Sequence, residues 1–407
     1  MWIIVRLLIG LVILVVVEYY FIKKTSLALK YLVPSFYKDK FKILKRIFFV
    51  WMNMYPIVLV IVYVYFAITS EYMTMPESRI FDYLFIYPFW IFFILTIQVG
   101  IYFLVIDIFK LLLFPFYKKH KDILLKTQSV LVFILTGCFI VYIPARIIYD
   151  YNEVSVRPVE YKKSGLPDAL NNFRIAFISD LQADHYTDEG RLKDYIDKVN
   201  ALDTDLILVA GDFITTGPKY IDISANLIGT LHSRYGIFSC IGDHDNWAYR
   251  GDVTRSLTEV KNALKKNNVE MIDNSFRMIK VDSATIDITF ITYTYVGKIQ
   301  NSTLDSLVKT GSGDLKIFLT HQPRQHLIDA ATKNNYNLFL AGHTHGGQIT
   351  FLFPFIWLTP TLFETSYIRG DFWFNDMLVI VTRGLGMSLA PLRYNSTPEI
   401  TLISIKN

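Results

Sequence analysis

Cysteine is nearly missing from this chain, with two residues in 407. Cys138 falls in a long apolar run and Cys240 in a short strand-like one, so they cannot pair, and a disulfide framework is excluded. Both read as small hydrophobes, and their scarcity does not decide the compartment. Charge is sparse too: Asp, Glu, Lys and Arg make up 19% of the residues, against about 25% in ordinary soluble domains. There is no internal repeat and no low-complexity tract. The second half carries no basic stripe interleaved with aromatics, which argues against nucleic acid as a partner.

What the chain has instead is apolar length. Runs at Trp2–Ile22, Ile47–Thr69, Phe85–Ile106 and Val130–Ile148 each approach the roughly 20 residues that cross about 30 Å of hydrocarbon. The first is too long in its apolar core, and lacks the small-residue cleavage site, for a secretory signal. Tyr, Trp and Phe gather at the ends of the runs, as in interfacial belts. Residues 1–150 therefore read as a four-span, all-α transmembrane anchor. Arg6 and Arg146 lie near span ends and can snorkel. Asn53 and Gln98 read as helix-packing groups. Too few charges lie deep enough for a transport path.

The loops set an orientation. Lys23, Lys24, Lys30, Lys38, Lys40, Lys42, Lys45 and Arg46 separate the first two runs, and Lys110, Lys118, Lys119, Lys121 and Lys126 separate the last two. Between runs two and three, Arg79 stands alone with Glu71, Glu77 and Asp82. Basic loops stay in the cytoplasm, so the chain after the fourth span is expected outside it. Residues 151–172, with Pro158, Gly165 and Pro167, read as an extended connector.

The second half, 173–407, is built differently. Arg174–Ser179 runs into Asp180-Leu181-Gln182; Asp205–Ala210 ends at Gly211-Asp212; Tyr235–Ile241 ends at Gly242-Asp243-His244-Asp245. Leu315–Thr320 ends at His321, and Asn337–Leu340 leads into Gly342-His343-Thr344-His345-Gly346-Gly347-Gln348. Helix-like patterns at Glu189–Ala201 and Val253–Lys266 lie between them. Strands alternating with helices make an α/β domain, and its ligands collect beyond the carboxyl ends of the strands. A single Asp at such an end is ordinary turn chemistry. Five ends bearing Asp, Gln or His point instead to a transition-metal site.

These motifs, in this order, resemble the calcineurin-like metallophosphoesterases, whose pattern is D-x-H, GD, GN-H-D/E, a lone His and GHxH. The resemblance spans roughly Phe173–Ile405. The GHTHGGQ run, Thr382–Gly386 and Pro398–Leu402 are similar to the bacterial membrane-associated branch. It implies two packed mixed β-sheets flanked by helices and two divalent metal ions, drawn from Mn, Fe, Zn and in some members Ni or Mg. Asp180, Gln182, Asp212 and His345 are implied for one ion, and Asp212, Asp243, His321 and His343 for the other, with Asp212 bridging. Paired cations of this kind activate water for in-line attack on phosphorus. His244 matches the non-ligand His that acts on the leaving oxygen, and Asp245 is expected to orient its ring.

Two positions depart from the pattern. Gln182 stands where the family has His, and Asp243 where it has Asn. Both offer oxygen donors, which favours Mn²⁺ or Mg²⁺ over Zn²⁺. Asp184 and His185 lie just downstream as possible substitutes. A D-x-Q opening also resembles that of ADP-ribose and CDP-alcohol diphosphatases. Phe351–Phe363, nearly all apolar with two prolines, reads as an irregular segment, either buried or forming a lip toward a bilayer or acyl chains. The reading is a membrane-anchored phosphohydrolase or phosphodiesterase acting on a lipid-linked or cell-envelope substrate. Its alternatives are a nucleotide or sugar-nucleotide diphosphatase, and a membrane sensor with a degenerate metal site.

Overall fold

The computed structural model describes residues 2–36, 39–69, 77–113 and 120–407. Lys38, Glu71, Lys118 and Lys119 lie outside these residues, and the side chains of Arg6 and Lys40 are likewise outside the description. The chain divides into two units. One is Met1–Ile148 with Phe351–Trp357; the other is Tyr149–Thr350 with Leu358–Asn407.

The first unit contains the helices α1 (Trp2–Leu32), α2 (Asp39–Thr69) and α3 (Arg79–Leu112), and most of α4 (Lys121–Asn152). Among the described residues, three helices are long and apolar enough to cross a membrane: Phe41–Phe66 within α2, then α3 and α4. Their outward faces carry Ile57, Ile61, Leu104, Ile108, Phe133 and Val141, all exposed, a surface that only hydrocarbon satisfies cheaply. The exposed Cys138 belongs to this face of α4. α3 is the central helix, burying Phe89, Phe92, Ile94, Val99 and Phe103. Phe21 of α1 packs on Phe92 and Phe103. Asn53 of α2 donates to Glu18 of α1 at 2.7 Å, so its role as a packing group between helices holds.

Gln98 does something else. Its amide donates to the carbonyl of Leu352 at 2.9 Å and accepts from the Leu352 N–H at 2.7 Å. The segment expected to be irregular forms a two-stranded hairpin, β10 (Phe351–Phe353) and β11 (Ile356–Leu358). The prolines permit it because Pro354 sits in the turn, beside Phe355 at φ +66°, and Pro360 opens a 3₁₀ turn. A proline is harmless where no ladder hydrogen bond is needed.

The second unit is two six-stranded sheets face to face. One has the order β1 (Ser155–Lys162), β14 (Glu399–Lys406), β2 (Arg174–Ile178), β3 (Leu206–Val209), β4 (Ile237–Ser239), β5 (Val269–Met271). The other runs β12 (Gly370–Phe374), β13 (Met377–Val381), β9 (Leu338–Ala341), β8 (Leu315–Thr320), β7 (Ala284–Ile291), β6 (Ser275–Val281). Both are mixed: β2, β3, β4 and β5 are mutually parallel, while β14 is antiparallel to β2.

Strand alternation builds the layers. Ile175, Phe177, Leu206 and Leu208 meet Ile286, Ile288, Ile317, Leu319, Leu338 and Leu340 in the core between the sheets. Ala176, Ile178, Ile207 and Val209 face the other way, onto helices α5 (Glu189–Asn200), α6 (Lys219–Ile228) and α7 (Val253–Lys266). Phe318, Phe339 and Val379 do the same on the far sheet against α8 (Asn301–Leu307) and α9 (Gln325–Lys333). Because both faces are covered, the central strands are continuously apolar, as the sequence shows.

One boundary moves. The supposed connector holds β1, which pairs with β14 in parallel along Ser155–Lys162. Val159 and Tyr161 alternate into the core, and the Tyr161 hydroxyl donates to the Asp376 carbonyl at 3.0 Å. The proline and charges of this stretch are those of an edge strand.

Candidate active site

The carboxyl ends of β2, β3, β4, β8 and β9 deliver the predicted residues to one place. Asp180, Gln182, Asp212, Asp243 and His321 are at most 1% exposed, and His345 is 6% exposed. Asp180, Gln182, Asp212, His343 and His345 all have positive φ, between +49° and +71°. The chain leaves β2, β3 and β9 through the left-handed region, which turns the side chain across the sheet edge. Asp and His tolerate this conformation better than β-branched residues. Such clustering of strained backbone is characteristic of sites whose geometry matters more than local stability.

Glycines set the spacing. A Cβ on Gly242 would lie 2.2 Å from the Asp212 backbone nitrogen, and one on Gly342 would lie 1.9 Å from Ser179 Oγ. The turns at Gly211 and Gly242 approach backbone to backbone, and Gly342 lies against the Ser179 side chain, so glycine is needed just before Asp212, Asp243 and His343.

Two triads lie close enough to share a cation: Asp243, His321 and His343, and Asp180, Asp212 and His321. His321 Nε2 is 3.4 Å from Asp212 Oδ2 and 3.3 Å from Asp243 Oδ2. His343 Nδ1 is 2.9 Å from Asp243 Oδ2, and His345 Nε2 is 3.6 Å from Asp180 Oδ1. The Gln182 amide donates to Asp212 Oδ2 at 2.6 Å. All seven ligand candidates therefore belong to one connected cluster.

The cluster fits divalent cations. Three carboxylates, those of Asp180, Asp212 and Asp243, are buried together. Gln182 Oε1 and His321 Nε2 are buried without a hydrogen-bond partner. An orphaned buried polar atom costs about 1–3 kcal/mol, and an unbalanced buried charge more, unless something compensates them. Burial and the carboxylates of Asp180, Asp245 and Asp243 push Asp212 well above the usual carboxylate range, although His321 opposes them. Burial opposes a charge on His321 as well, but Asp212 and Asp243 outweigh it and hold the imidazole well above its ordinary value. Burial, with Arg393 repelling, lowers His345 to about 3 against the pull of Asp180. His345 is therefore neutral at neutral pH, the form that ligates metal.

The far ring nitrogens are held too. His321 Nδ1 lies 2.6 Å from the Ala210 carbonyl and so carries the proton. His343 Nε2 is 3.0 Å from Glu364 Oε1, which also accepts from Tyr295 at 2.8 Å and pairs with Arg324. Such outer contacts fix the tautomer and aim of a ligand imidazole. Burial works against the Glu364 charge, yet His343, Tyr295 and Arg324 bring its pKa down to about 2. Asp243 accepts from Gln322 at 2.7 Å and from the Tyr295 N–H at 2.6 Å. Arg393, fully buried, donates to the carbonyls of His345, Gly386 and Ser396 and ties the last loop to the site. Gln322 and Arg324 lay in plain view in the THQP motif and its neighbour. Glu364, Tyr295, Ser388 and Arg393 carried no sequence signal, being brought in from separate loops.

Asp245 corrects one expectation. It does not orient the His244 ring. Its carboxylate is occupied by the N–H groups of Gly242, Asp212 and Phe213 at 2.8, 3.0 and 2.9 Å. It holds the two Gly-Asp turns together. The His244 ring is set by the Thr215 carbonyl, 2.8 Å from Nδ1, which leaves Nε2 facing Ser388 Oγ at 3.0 Å. Asp184 is a turn residue, accepting from the N–H groups of Tyr186 and Thr187; those bonds are local to its loop.

Two packed mixed sheets with an Asp/His cluster on their strand ends define a metallophosphoesterase. The sequence profile described as calcineurin-like phosphoesterase matches residues 173–347. The uncharacterized metallophosphoesterase YkuE of Bacillus subtilis is 30% identical over 252 residues, 60% of this chain and 83% of that protein. A transmembrane protein with metallophosphoesterase domain from Danio rerio is 25% identical over 69% of this chain and 63% of its own length. The UDP-2,3-diacylglucosamine pyrophosphatase LpxG of Chlamydia trachomatis is 25% identical over 58% and 84%. The chain belongs to the calcineurin-like phosphoesterases, hydrolases acting on phosphoester bonds. Its apolar helices make it a membrane protein.

Proposed function

We propose that this protein is a four-span membrane phosphohydrolase cleaving a phosphoester or pyrophosphate bond of a lipid-linked or cell-envelope substrate. One observation carries the substrate class. Phe363 and Leu389 are 98% and 94% exposed, and each adjoins a residue that touches a site imidazole. Glu364 reaches His343, and Ser388 reaches His244. Fully exposed large apolar side chains one residue from the chemistry suit an acyl-bearing substrate, whereas a sugar or nucleotide calls for polar and stacking groups there. The hairpin after Gln348 supports the same reading, since Phe355, Ile356 and Trp357 are exposed on a segment that groups with the apolar helices. So does the diacylated substrate in the name of the Chlamydia relative.

Asp180, Gln182, Asp212 and His345 would hold one cation, and Asp212, Asp243, His321 and His343 the other, with the oxygen-rich set favouring Mn²⁺. When bound, the pair supplies charge neutralisation at phosphorus and an activated water. His244 holds its proton on Nδ1 against Thr215 and presents Nε2 to the leaving oxygen, with Ser388 as its partner when substrate is absent. Burial lowers the His244 pKa, so the ring gains its second proton most readily beside an anionic phosphate.

The substrate assignment is tested with purified protein and Mn²⁺. A diacyl lipid pyrophosphate in mixed micelles should be cleaved with a kcat/KM at least about ten-fold above that of UDP-glucose or ADP-ribose. Phe363→Ser with Leu389→Ser should remove that margin through KM while bis(4-nitrophenyl) phosphate hydrolysis holds. Equal or better cleavage of the nucleotide sugars would point to a nucleotide or sugar-nucleotide diphosphatase, and binding without turnover of any of them to a sensor.

The basic loops support a catalytic domain outside the cytoplasm. In a Cys138→Ala background, Lys163→Cys should react with an impermeant maleimide on intact cells and Lys121→Cys only after lysis. The opposite pattern turns the enzyme inward.

A further inference from the structure

Five side chains close a ring around one half of the metal cluster. Gln322 donates to Asp243 Oδ2 at 2.7 Å and accepts from Arg324 Nε at 2.8 Å. Arg324 pairs with Glu364, and Glu364 Oε1 lies 3.0 Å from His343 Nε2. His343 Nδ1 returns to Asp243 Oδ2 at 2.9 Å, which completes the circuit. Tyr295 braces it from the side: its N–H donates to Asp243 Oδ1 at 2.6 Å and its hydroxyl to Glu364 at 2.8 Å. Chemistry fixes the direction of these bonds. A guanidinium only donates and an ionised carboxylate only accepts. Arg324 therefore holds the Gln322 oxygen and turns its amide nitrogen toward Asp243. Glu364 takes the His343 proton on Nε2, which leaves the Nδ1 lone pair facing the Asp243–His321 corner, within reach of one cation.

The other half is backed in the opposite sense. His345 Nε2 faces Asp180 at 3.6 Å, but its Nδ1 lies 3.4 Å from Arg393 Nη2. A guanidinium asks for an acceptor there, so the ring without metal carries its proton on Nε2, the nitrogen a cation would need. Moving that proton to Nδ1 sets N–H against N–H. Gln182 adds a neutral donor atom, and Asp212 is common to both halves, so neither offsets the difference. We infer that the ring makes the Asp243–His321–His343 position the tighter of the two cation sites, with Glu364 as its positioning residue, and that the Asp180–Gln182–His345 position fills second. This inference rests on the two-cation reading above and assigns an order to it.

An outer partner of a ligand imidazole is worth about 10–100-fold in metal affinity, which sets the expected gap between the two positions. The test adds Mn²⁺ stepwise to the metal-free full-length protein in detergent, followed by calorimetry and electron paramagnetic resonance. Wild type should bind two ions in separate steps, the first about 10–100-fold tighter, and the spectrum of an isolated ion should precede that of a coupled pair. His345→Ala should keep the first step at its wild-type affinity and lose the second. Glu364→Ala added to His345→Ala should weaken the remaining step by about 10–100-fold. Arg324→Gln in the same background opens the ring at a half-buried residue and should weaken that step too, so it serves in place of an alanine variant that does not fold. A remaining ion held as tightly after the ring is opened as before overturns the role of Glu364. A first step lost in His345→Ala reverses the order and overturns the inference, while the two-cation reading stands. Wild type that takes up a single ion defeats both, and the absence of any coupled spectrum identifies that outcome.

Discussion

Asp212→Asn abolishes turnover and empties the metal site in one step, while leaving the fold intact. Asp212 is the residue on which the cluster converges. Its Oδ1 accepts from the His244 N–H at 2.7 Å, and its Oδ2 accepts from Gln182 at 2.6 Å and lies 3.4 Å from His321 Nε2. Asn has the same shape but carries no charge, and it replaces one acceptor with a donor, so a residue proposed to be shared by two cations would no longer hold both. Metal analysis of the purified variant should fall well below the two ions per chain expected of wild type, and activity with Mn²⁺ should fall below detection.

The metal-free variant should be at least as resistant to heat as metal-free wild type. Burial and neighbouring carboxylates raise the Asp212 pKa, so keeping that group ionised at neutral pH costs folding stability, and the neutral amide removes the cost. Thermal unfolding in chelator reads this directly. A variant with full activity, or with unchanged metal stoichiometry, ends the bridging assignment.

His244→Ala cuts the rate by about 10²–10⁴, the usual worth of a positioned acid, with metal content close to normal. The ring touches the Thr215 carbonyl and Ser388 Oγ and takes no part in either metal triad. The contact that His244 makes with the metal cluster is through its backbone N–H, on Asp212 Oδ1, and alanine keeps that group. The loss should also depend on the leaving group. A 4-nitrophenolate leaves without a proton and should suffer least, and an alkoxide most. Loss of metal together with the imidazole, or an equal loss across leaving groups, assigns the ring to holding the site rather than to proton transfer.

Much of this was written in one dimension. Apolar runs near 20 residues can only be membrane or core helices, and α2, α3 and α4 fall where the runs do, reaching further at their ends because polar residues such as Lys121 and Asn152 still complete helical turns. The strands β2, β3, β4, β8 and β9 are continuously apolar because both sheet faces are covered, and that pattern survives in the sequence. So do the candidate ligands, since each stands within four residues of the end of its strand: Asp180, Asp212, Asp243, His321 and His343 carry their position with them.

Contacts from elsewhere in the chain left no such mark. Nothing near Glu364 in sequence says that it lies 3.0 Å from His343 Nε2, or that Ser388 faces His244. Asp245 was readable as an acid beside a histidine, but whether its carboxylate takes a ring N–H or three backbone amides depends on how the Gly211 and Gly242 turns abut. β1 pairs with β14 across more than 200 residues, and the pattern of an edge strand is too weak to distinguish from a linker. Period, length and adjacency are properties of the chain, and they determined the helices, the buried strands and the candidate ligands. Which distant loop completes a hydrogen bond depends on the packing of two sheets, and only the tertiary structure decided it.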